Sequence, residues 1–287
     1  MSQIPENPIQ DLIEVLDIAQ LSETEFVGKT QWMPQGRVFG GQVLAQSLVA
    51  ATKTIAGERH FHSLHSYFLR PGDITKDVHF SVEVLRDGRS FSARRVHALQ
   101  DGKPIFSMIA SFQEDAPGLS HEDEIPAAPS PDTLPSAADL LSAIDHPATN
   151  YWAKARPFDL RHVDEPVYLR PAKNQVPNQM VWFKTISELP SEPLLHTAAL
   201  AYASDYTILE AVLRKHGLSW AHPGLSAASL DHALWFHSVP NLNDWHLYVQ
   251  HSPAAMGGRG LSQGKIYSQE GKLIATVAQE GMIRIPD

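Results

Sequence analysis

The sequence of 287 residues contains no cysteine. This absence excludes disulfide bonds, a thiolate nucleophile and metal sites built from thiolates. The chain also lacks any run of about 18 consecutive apolar residues, so we expect no membrane-spanning helix. Residues 1–20 contain no lysine or arginine. Because a secretion signal begins with positive charge, we expect a cytoplasmic protein.

Positive charge is scarce throughout the chain, because 23 lysines and arginines face 32 acidic residues and leave a net charge of −9. A protein whose main partner is nucleic acid needs a basic surface, so we predict no nucleic-acid partner. This charge balance still permits a local basic pocket for a small phosphorylated ligand.

The chain has the length of two domains of roughly 130 residues each. The segment that follows residue 116 is rich in proline, serine and acidic residues, a composition typical of a loop or linker. We therefore predict a first domain over residues 1–116, a linker over 117–165 and a second domain over 166–287.

A β-hairpin pattern occurs on both sides of the predicted linker. Alternating apolar and polar residues flank an acid-Gly-Lys turn at residues 101–103 and again at residues 270–272. Such a turn between two alternating runs is typical of a β-hairpin. One helix precedes the strands of each half, over about residues 41–55 and 194–215. Each half is therefore predicted to be a long helix that covers an antiparallel sheet, in an α+β fold.

Asp205 interrupts the apolar face of the second predicted helix. Apolar residues recur there with helical spacing, and Asp205 falls in the middle of the stripe. A carboxylate that faces a core is costly unless it has partners. Two interpretations stay open: a base that orients water, or a cap formed with Ser204 for a helix that starts at Tyr206.

Gln279 continues the apolar face of the last predicted strand, which carries Leu273, Ala275 and Val277 at alternating positions. An inward glutamine needs hydrogen-bond partners, and a carboxylate could accept from its amide. The alternative is an exposed glutamine at a fraying strand end. Ser229 begins another predicted strand, and by itself it is typical of an ordinary loop or cap residue.

Histidine is abundant, with 15 residues that include His60, His62 and His65 close together. Along a strand, His60 and His62 share one face while His65 takes the other, which is poor geometry for a metal. We therefore predict no metal site. His62 is the alternative candidate for a base, since histidine titrates near neutral pH.

Six motifs together resemble those of the acyl-CoA thioesterase II family, which includes the TesB-like proteins. They are VFGGQV (38–43), HSLHSYFLRPGD (62–73), RDGRSFSARR (86–95), YASD (202–205), LDHALWFH (230–237) and QEG (279–281). The resemblance spans nearly the whole chain in family order. It implies a double hotdog fold, in which each of two repeats wraps an antiparallel sheet around one long helix. It also implies an acyl-CoA substrate, no cofactor and a homo-oligomer.

The family's catalytic set of Asp, Thr and Gln corresponds to three residues of the second half. The Asp matches Asp205, the Gln matches Gln279, and the Thr position is Ser229 here. Serine keeps the hydroxyl but loses the methyl group that restricts χ1. The resemblance thus implies hydrolysis of fatty acyl-CoA by a water that these residues position. Backbone N–H groups at residues 40–41, or near Asp205, are candidate donors to the developing oxyanion.

Two rival functions stay open. A hotdog enoyl-CoA hydratase or dehydratase uses an Asp with a His five residues later, but that position is Glu210 here. A non-catalytic acyl-CoA-binding protein would keep the fold without the activity. The phosphates of CoA attract cations. The candidate cations are Arg86, Arg89, Arg94, Arg95, Arg259 and Lys265.

Overall fold

A computed structural model describes residues 4–285 of the chain. Residues 1–3 and 286–287, which belong to the two predicted domains, lie outside the described residues. Within residues 4–285, no helix is both long and apolar enough to cross a bilayer.

The first half of the chain surrounds one buried helix with antiparallel strands. Its elements are α1 (Pro8–Leu16), β1 (Ala19–Gln20), β2 (Glu25–Gly28), α2 (Gly40–Lys53), β3 (His60–Phe68), β4 (Val78–Asp87), β5 (Phe91–Gln100) and β6 (Lys103–Gln113). The side chain of Asn7 caps α1 by accepting hydrogen bonds from the backbone N–H groups of Ile9 and Gln10. Helix α2 is buried over most of its length, as expected for the central helix of this half.

The second half follows a connecting segment with two short helices, α3 (Ala137–Leu141) and α4 (Pro147–Asn150). Its elements are β7 (Phe158–His162), β8 (Asn178–Thr185), α5 (Pro193–Ser204), α6 (Glu210–Lys215), β9 (Ser226–Ser229), β10 (Asp231–Phe236), β11 (His246–Met256), β12 (Arg259–Ser268) and β13 (Leu273–Arg284). Both predicted hairpins are confirmed, because β5 pairs with β6 and β12 pairs with β13 in antiparallel register. Asp101 and Gly102 have φ values of 50° and 70°, as a type I′ turn requires.

The strands of the two halves join in one antiparallel sheet and repeat the same order. From the outer strand inward, that order is β1-β2-β4-β5-β6-β3 in the first half and β7-β8-β11-β12-β13-β10 in the second. The halves meet where β3 pairs with β10, with Leu64 opposite Leu234. Strand β9 pairs additionally with β13. The predicted α+β architecture of two repeats is therefore confirmed.

The prediction of one continuous helix in the second half is wrong. Helix α5 ends at Ser204 with Asp205 as its C-cap, and α6 begins only at Glu210. In the break, the N–H of Tyr206 donates to the carbonyl oxygen of Ala203, which is the tighter three-residue spacing of a 3₁₀ turn. The apolar spacing of the sequence continues through this break, so the hydrophobic pattern carries no sign of it.

Ordered sheet structure begins inside the predicted linker of residues 117–165. Strand β7 pairs with β8, and its residues alternate between buried and partly exposed positions. A strand of only five residues shows too little alternation to be separated from irregular chain by pattern. The division of the chain at residues 116 and 165 stays a proposal.

Candidate active site

Asp205 lines a cavity of about 660 Å³ beside the N-terminus of α2. Most of the cavity wall is apolar, with contributions from Val38, Phe39, Val43, Phe68, Ile105, Leu209 and Leu230. The side chain of Asp205 is partly exposed. Because Asp205 lines the cavity, the exposed part of its side chain faces the cavity. A largely apolar cavity with a few polar groups on its wall is typical of a site for a small molecule.

The structure brings Asp205, Ser229 and Gln279 together. Oδ1 of Asp205 accepts a hydrogen bond from Oγ of Ser229 at 3.1 Å and another from Nε2 of Gln279 at 2.9 Å. Nε2 of Gln279 also donates to Oγ of Ser229 at 2.9 Å. Both amide hydrogens and the hydroxyl hydrogen therefore have an acceptor, and the three side chains hold one another in place.

Ser229 and Gln279 differ in their relation to the cavity. Ser229 ends β9 and lines the cavity, whereas Gln279 is fully buried and lies behind the other two residues. Gln279 shares its buried face with Ala275 and Val277, as the strand alternation predicts. A molecule in the cavity would meet Asp205 and Ser229 directly, and Gln279 would act through them.

The first half of the chain places the N-terminus of α2 against the same carboxylate. The backbone N–H of Gly41 lowers the pKa of the Asp205 carboxyl group, because the partial positive charge of a helix N-terminus favours a carboxylate. A Cβ atom at Gly40 would lie 2.5 Å from Oδ2 of Asp205, and one at Gly41 would lie 2.2 Å from the carbonyl oxygen of Tyr202. Only glycine permits this approach. The N-terminus of α2, which the sequence offered as a donor to an oxyanion, thus lies against Asp205.

Burial raises the pKa of Asp205 from 3.8 to about 6, because the cavity wall removes water from the ionised carboxylate. Hydrogen bonds from Gln279 and Ser229 oppose this rise, as does the backbone N–H of Gly41, because these donors stabilise the ionised form. The carboxyl group is still mostly ionised at pH 7. It is a stronger base than an exposed aspartate, and its pKa lies closer to the pH at which a general base works best.

His232, for which the sequence predicted no role, fixes the orientation of Gln279. Its ring is fully buried, Nδ1 donates to Oε1 of Gln279, and Nε2 lies 3.0 Å from Oγ of Ser204. Burial lowers the pKa of His232 from 6.5 to about 4, so the ring is neutral at pH 7. Because His232 occupies the amide oxygen of Gln279, the amide nitrogen faces Asp205. The alternation of His232 with Leu234 along β10 is the sequence signal for this inward position.

The alternative base and the predicted phosphate ligands lie away from the cavity. Nε2 of His62 contacts Oγ of Ser111 at 2.9 Å, and desolvation lowers the pKa of its ring. Arg94 is buried and pairs with Asp87 at 2.8 Å. None of the predicted phosphate ligands lines the cavity among the described residues. Those ligands are Arg86, Arg89, Arg94, Arg95, Arg259 and Lys265.

Two other arginines lie at the rim of the cavity, where Gln35, Arg37 and Arg70 are exposed. Arg37 directly precedes the VFGGQV motif and Arg70 lies within the motif at residues 62–73. The position of Arg37 and Arg70 next to or within these motifs is the sequence signal that could have identified them. The prediction instead selected cations from other predicted strands. In residues 4–285 no group of three potential metal ligands comes together.

The architecture places the protein in the class of hotdog folds. A structure described as a conserved protein of unknown function with hot dog fold, from Alicyclobacillus acidocaldarius, matches with a TM-score of 0.80. The match covers 96% of this chain and 99% of that chain at 20% identity, which is a likeness of fold alone. The two repeats described above therefore form a double hotdog.

Two family models and several relatives cover nearly all of the chain. The model described as acyl-CoA thioesterase matches residues 157–282, and that of the acyl-CoA thioesterase N-terminal domain matches residues 29–113. Acyl-CoA thioesterase 2 of Haemophilus influenzae is 37% identical over 97% of this chain and 99% of that relative. Acyl-coenzyme A thioesterase 8 of Homo sapiens is 37% identical over 94% of this chain and 88% of that relative.

A solved structure agrees with these sequence relatives. The crystal structure of an acyl-CoA thioesterase II, TesB2, from Mycobacterium marinum is 42% identical and has a TM-score of 0.80. The match covers 96% of this chain and 99% of that chain. The chain belongs to the acyl-CoA thioesterase family.

Proposed function

We propose that this chain hydrolyses fatty acyl-CoA to a free fatty acid and CoA, and that Asp205, Ser229 and Gln279 position the attacking water. The observation that carries this proposal is the carboxylate of Asp205 on the wall of an apolar cavity. One of its oxygens is fixed by two donors, at 2.9 Å and 3.1 Å, and its pKa is raised to about 6. A fixed carboxylate of raised pKa is suited to taking a proton from water near neutral pH.

The reaction needs no covalent intermediate on the protein. A water held by Asp205 and Ser229 transfers a proton to the Asp205 carboxylate while its oxygen bonds to the carbonyl carbon of the thioester. The C–S bond then breaks, the carbonyl re-forms as a carboxylic acid, and the CoA thiolate takes the proton from Asp205. Gln279 acts through the other two side chains, because its amide hydrogens are already used by them.

The cavity suits an acyl-CoA in its distribution of charge. The exposed Arg37 and Arg70 at the rim attract the phosphates of CoA, and the apolar wall accepts an acyl chain. The thioester between these two parts of the substrate would then reach Asp205.

A hydratase or dehydratase is not favoured by the site. The cavity lining contains no histidine among the described residues. Glu210, at the position where the hydratases carry histidine, is fully buried and accepts hydrogen bonds from Trp220 and Gln179 at 3.0 Å and 3.1 Å. Its carboxylate is used by these hydrogen bonds in the core and does not line the cavity.

A thiol-release assay over a series of saturated acyl-CoA chain lengths tests the proposed function. We expect one CoA thiol for each acyl-CoA consumed, because hydrolysis is the only step that separates the sulfur from the acyl group. An enoyl-CoA that loses its double bond without releasing thiol would instead identify a hydratase. Tight binding without release at any chain length would identify a non-catalytic acyl-CoA-binding protein.

The raised pKa of Asp205 predicts an acid limb in the pH profile. The ionised carboxylate is the base, so kcat should fall as pH falls through about 6. The ionised fraction drops from about 0.9 at pH 7 to about 0.1 at pH 5, which predicts an about tenfold lower kcat. An aspartate of ordinary pKa would stay mostly ionised at pH 5.

This profile should be measured as kcat at saturating acyl-CoA. The phosphate monoester of CoA titrates in the same pH range and would change KM. His232, with its pKa lowered to about 4, stays neutral over this range and adds no limb of its own. A kcat that is constant between pH 5 and pH 7 would contradict the role of Asp205 as a buried base.

The cytoplasmic location and the homo-oligomer stay proposals. The outer face of the sheet carries exposed apolar side chains that would suit contact with a second copy of the chain. Tyr67, Phe91 and Ile109 are 62%, 46% and 43% exposed. Tyr67 and Ile109 lie on neighbouring strands of that face, because β3 pairs with β6.

A further inference from the structure

His232 has a single ring N–H for two hydrogen-bond contacts. The ring is fully buried, and burial lowers its pKa to about 4, so at pH 7 only one of its two nitrogens carries a proton. Nδ1 faces Oε1 of Gln279, and Nε2 lies 3.0 Å from Oγ of Ser204. An amide oxygen can only accept, so the proton belongs on Nδ1. Nε2 is then an acceptor that needs a donor.

The hydroxyl of Ser204 is the donor that Nε2 requires. Within residues 4–285, Oγ of Ser204 is the only hydrogen-bond partner of this nitrogen. The hydroxyl has one hydrogen and two acceptors within reach, Nε2 of His232 at 3.0 Å and the carbonyl oxygen of Ala201 at 2.8 Å. A bond to Ala201 would leave a fully buried ring nitrogen unpaired, which is costly. We therefore assign the hydrogen to Nε2.

The strands of the second half hold Ser204 in place for this contact. Ser204 is the last residue of α5 and is fully buried. Oη of Tyr248 donates to its carbonyl oxygen at 3.0 Å, which satisfies one of the free carbonyls at the helix end. The ring of Tyr248 packs over Gly264, where a Cβ atom would lie 2.3 Å from Cε2. The residue that precedes Asp205 is thus fixed to β11 and β12.

The tautomer of His232 matters most when Asp205 carries a proton. The ionised carboxylate by itself attracts the amide nitrogen of Gln279, but a protonated carboxyl group can also donate to an amide oxygen. A turned amide would accept that hydrogen bond and stabilise the acid form of Asp205. The proton on Nδ1 of His232 opposes this turn, because the amide N–H groups would then face a ring N–H. The Nδ1–H tautomer therefore keeps Asp205 a base.

We propose that Ser204 is a positioning residue, which fixes the Nδ1–H tautomer of His232 and through it the amide orientation of Gln279. Ser204 touches neither the cavity nor Asp205 through its side chain. It acts over two hydrogen bonds, and its effect reaches the reaction only as the proton affinity of Asp205. The proposal rests on the proposed thioesterase function, whose base it keeps ionised.

The other ionisable groups around Asp205 keep their charge between pH 5 and pH 8. The neighbouring tyrosines stay neutral, since burial raises their pKa values well above 10; they are Tyr202, Tyr206 and Tyr248. Arg156 on the cavity wall stays cationic, as arginine does in proteins. Asp231 and Glu280 follow Leu230 and Gln279 on their strands and point to the opposite face of the sheet. A change in the titration of Asp205 therefore reports on its hydrogen bonds.

Ser204→Ala should move the acid limb of kcat upward by about one pH unit. Without a donor at Nε2, the tautomer, the amide and the proton on Asp205 can change together, and one hydrogen bond corresponds to about one unit of pKa. At pH 6 kcat should be about fivefold below wild type, and at pH 8 the deficit should shrink to less than about twofold. An equal deficit at every pH, or an unmoved limb, would overturn the proposal.

The matched control is Ser252→Ala. Ser252 is another buried serine, on β11, and its hydroxyl donates to the carbonyl oxygen of Leu261 at 2.8 Å without lining the cavity. Its removal costs one hydrogen bond to a carbonyl, as the loss of the Ser204 contact with Ala201 does. We expect the acid limb of this variant to coincide with that of wild type.

A double-mutant cycle with His232→Asn tests the route of the effect. Asparagine places an amide nitrogen at the position of Nδ1 and has no atom at the position of Nε2. In this background Ser204 has no ring nitrogen to act on, so Ser204→Ala should cause no further shift of the limb. A shift of the same size in both backgrounds would show that Ser204 does not act through His232.

NMR of the wild-type chain tests the tautomer even if Ser204→Ala fails to fold. In the ¹⁵N spectrum of the histidine side chains, the signal lost in His232→Asn should show a protonated Nδ1 and an unprotonated Nε2 at pH 7. A protonated Nε2 would overturn the proposal. The carboxyl carbon of Asp205 should titrate about one pH unit higher in Ser204→Ala than in wild type.

These titrations also separate the positioning role from the proposed function. If the carboxyl titration shifts in Ser204→Ala but no thioester is hydrolysed by wild type, the role of Ser204 is supported and the thioesterase function is wrong. If thioesters are hydrolysed but Asp205 titrates alike in both chains, the role of Ser204 is wrong.

Discussion

The Asp205→Asn variant should hydrolyse acyl-CoA with a kcat about 10³-fold below that of the wild-type chain, because a positioned general base contributes about that factor. Asparagine retains an oxygen that can accept from Ser229 and Gln279, the two partners at 3.1 Å and 2.9 Å. It cannot take a proton from water. The measurement is thiol release at saturating substrate, together with single-turnover kinetics to isolate the chemical step.

The matched control for this variant is Asp231→Asn. Asp231 is another partly buried aspartate nearby, but it accepts from the backbone N–H of Glu280 at 2.7 Å and does not line the cavity. Asparagine can still accept that bond, so we expect kcat within about twofold of wild type. Near-normal hydrolysis by a folded Asp205→Asn protein would rule out Asp205 as the base.

Gln279→Ala should lower kcat by about 10²-fold, since Asp205 and Ser229 would both lose their shared donor and their fixed orientation. The same change should move the acid limb of the pH profile above about 6. The reason is that the Gln279 amide is the strongest of the hydrogen bonds that lower the pKa of Asp205. Without it the carboxyl group binds its proton more tightly, and a smaller fraction is ionised at pH 7.

The shift of the pH profile distinguishes positioning from general loss of structure. Removal of Gln279 also leaves Nδ1 of His232 without its buried partner, which should cost about 1–3 kcal/mol of folding stability. Thermal unfolding measures that cost separately. Gln263→Ala, at an exposed site on the neighbouring strand, should change neither quantity. A lower kcat with an unmoved acid limb would show that Gln279 does not act through Asp205.

The parts of the fold that depend on local chemistry could be predicted from the sequence. The turns at residues 101–103 and 270–272 carry the residues that a hairpin needs, and period-two alternation placed Gln279 on the buried face. The break after Ser204 could not be predicted, because the hydrophobic spacing of the sequence continues through it. The edge strand β7 was too short for its alternation to be recognised.

The parts of the site could be predicted to different degrees. Asp205 was indicated by its place in an apolar stripe and by its motif. Ser229 followed from the resemblance alone, because a serine in a four-residue strand has no pattern of its own. Hydrogen-bond partners far apart in sequence, such as His232 and Gln279, are set by strand register.

The pairing of β3 with β10 has a consequence for symmetry. Two identical hotdog subunits joined along such a seam would form a twofold dimer, and a twofold axis repeats every residue at two equivalent places. A covalently joined pair is free of that requirement. One half can present the bare N-terminus of a helix at Gly40 and Gly41 while the other presents the carboxylate of Asp205. Joining the two copies in a single chain allows each to specialise, so that a substitution in one half need not be matched in the other.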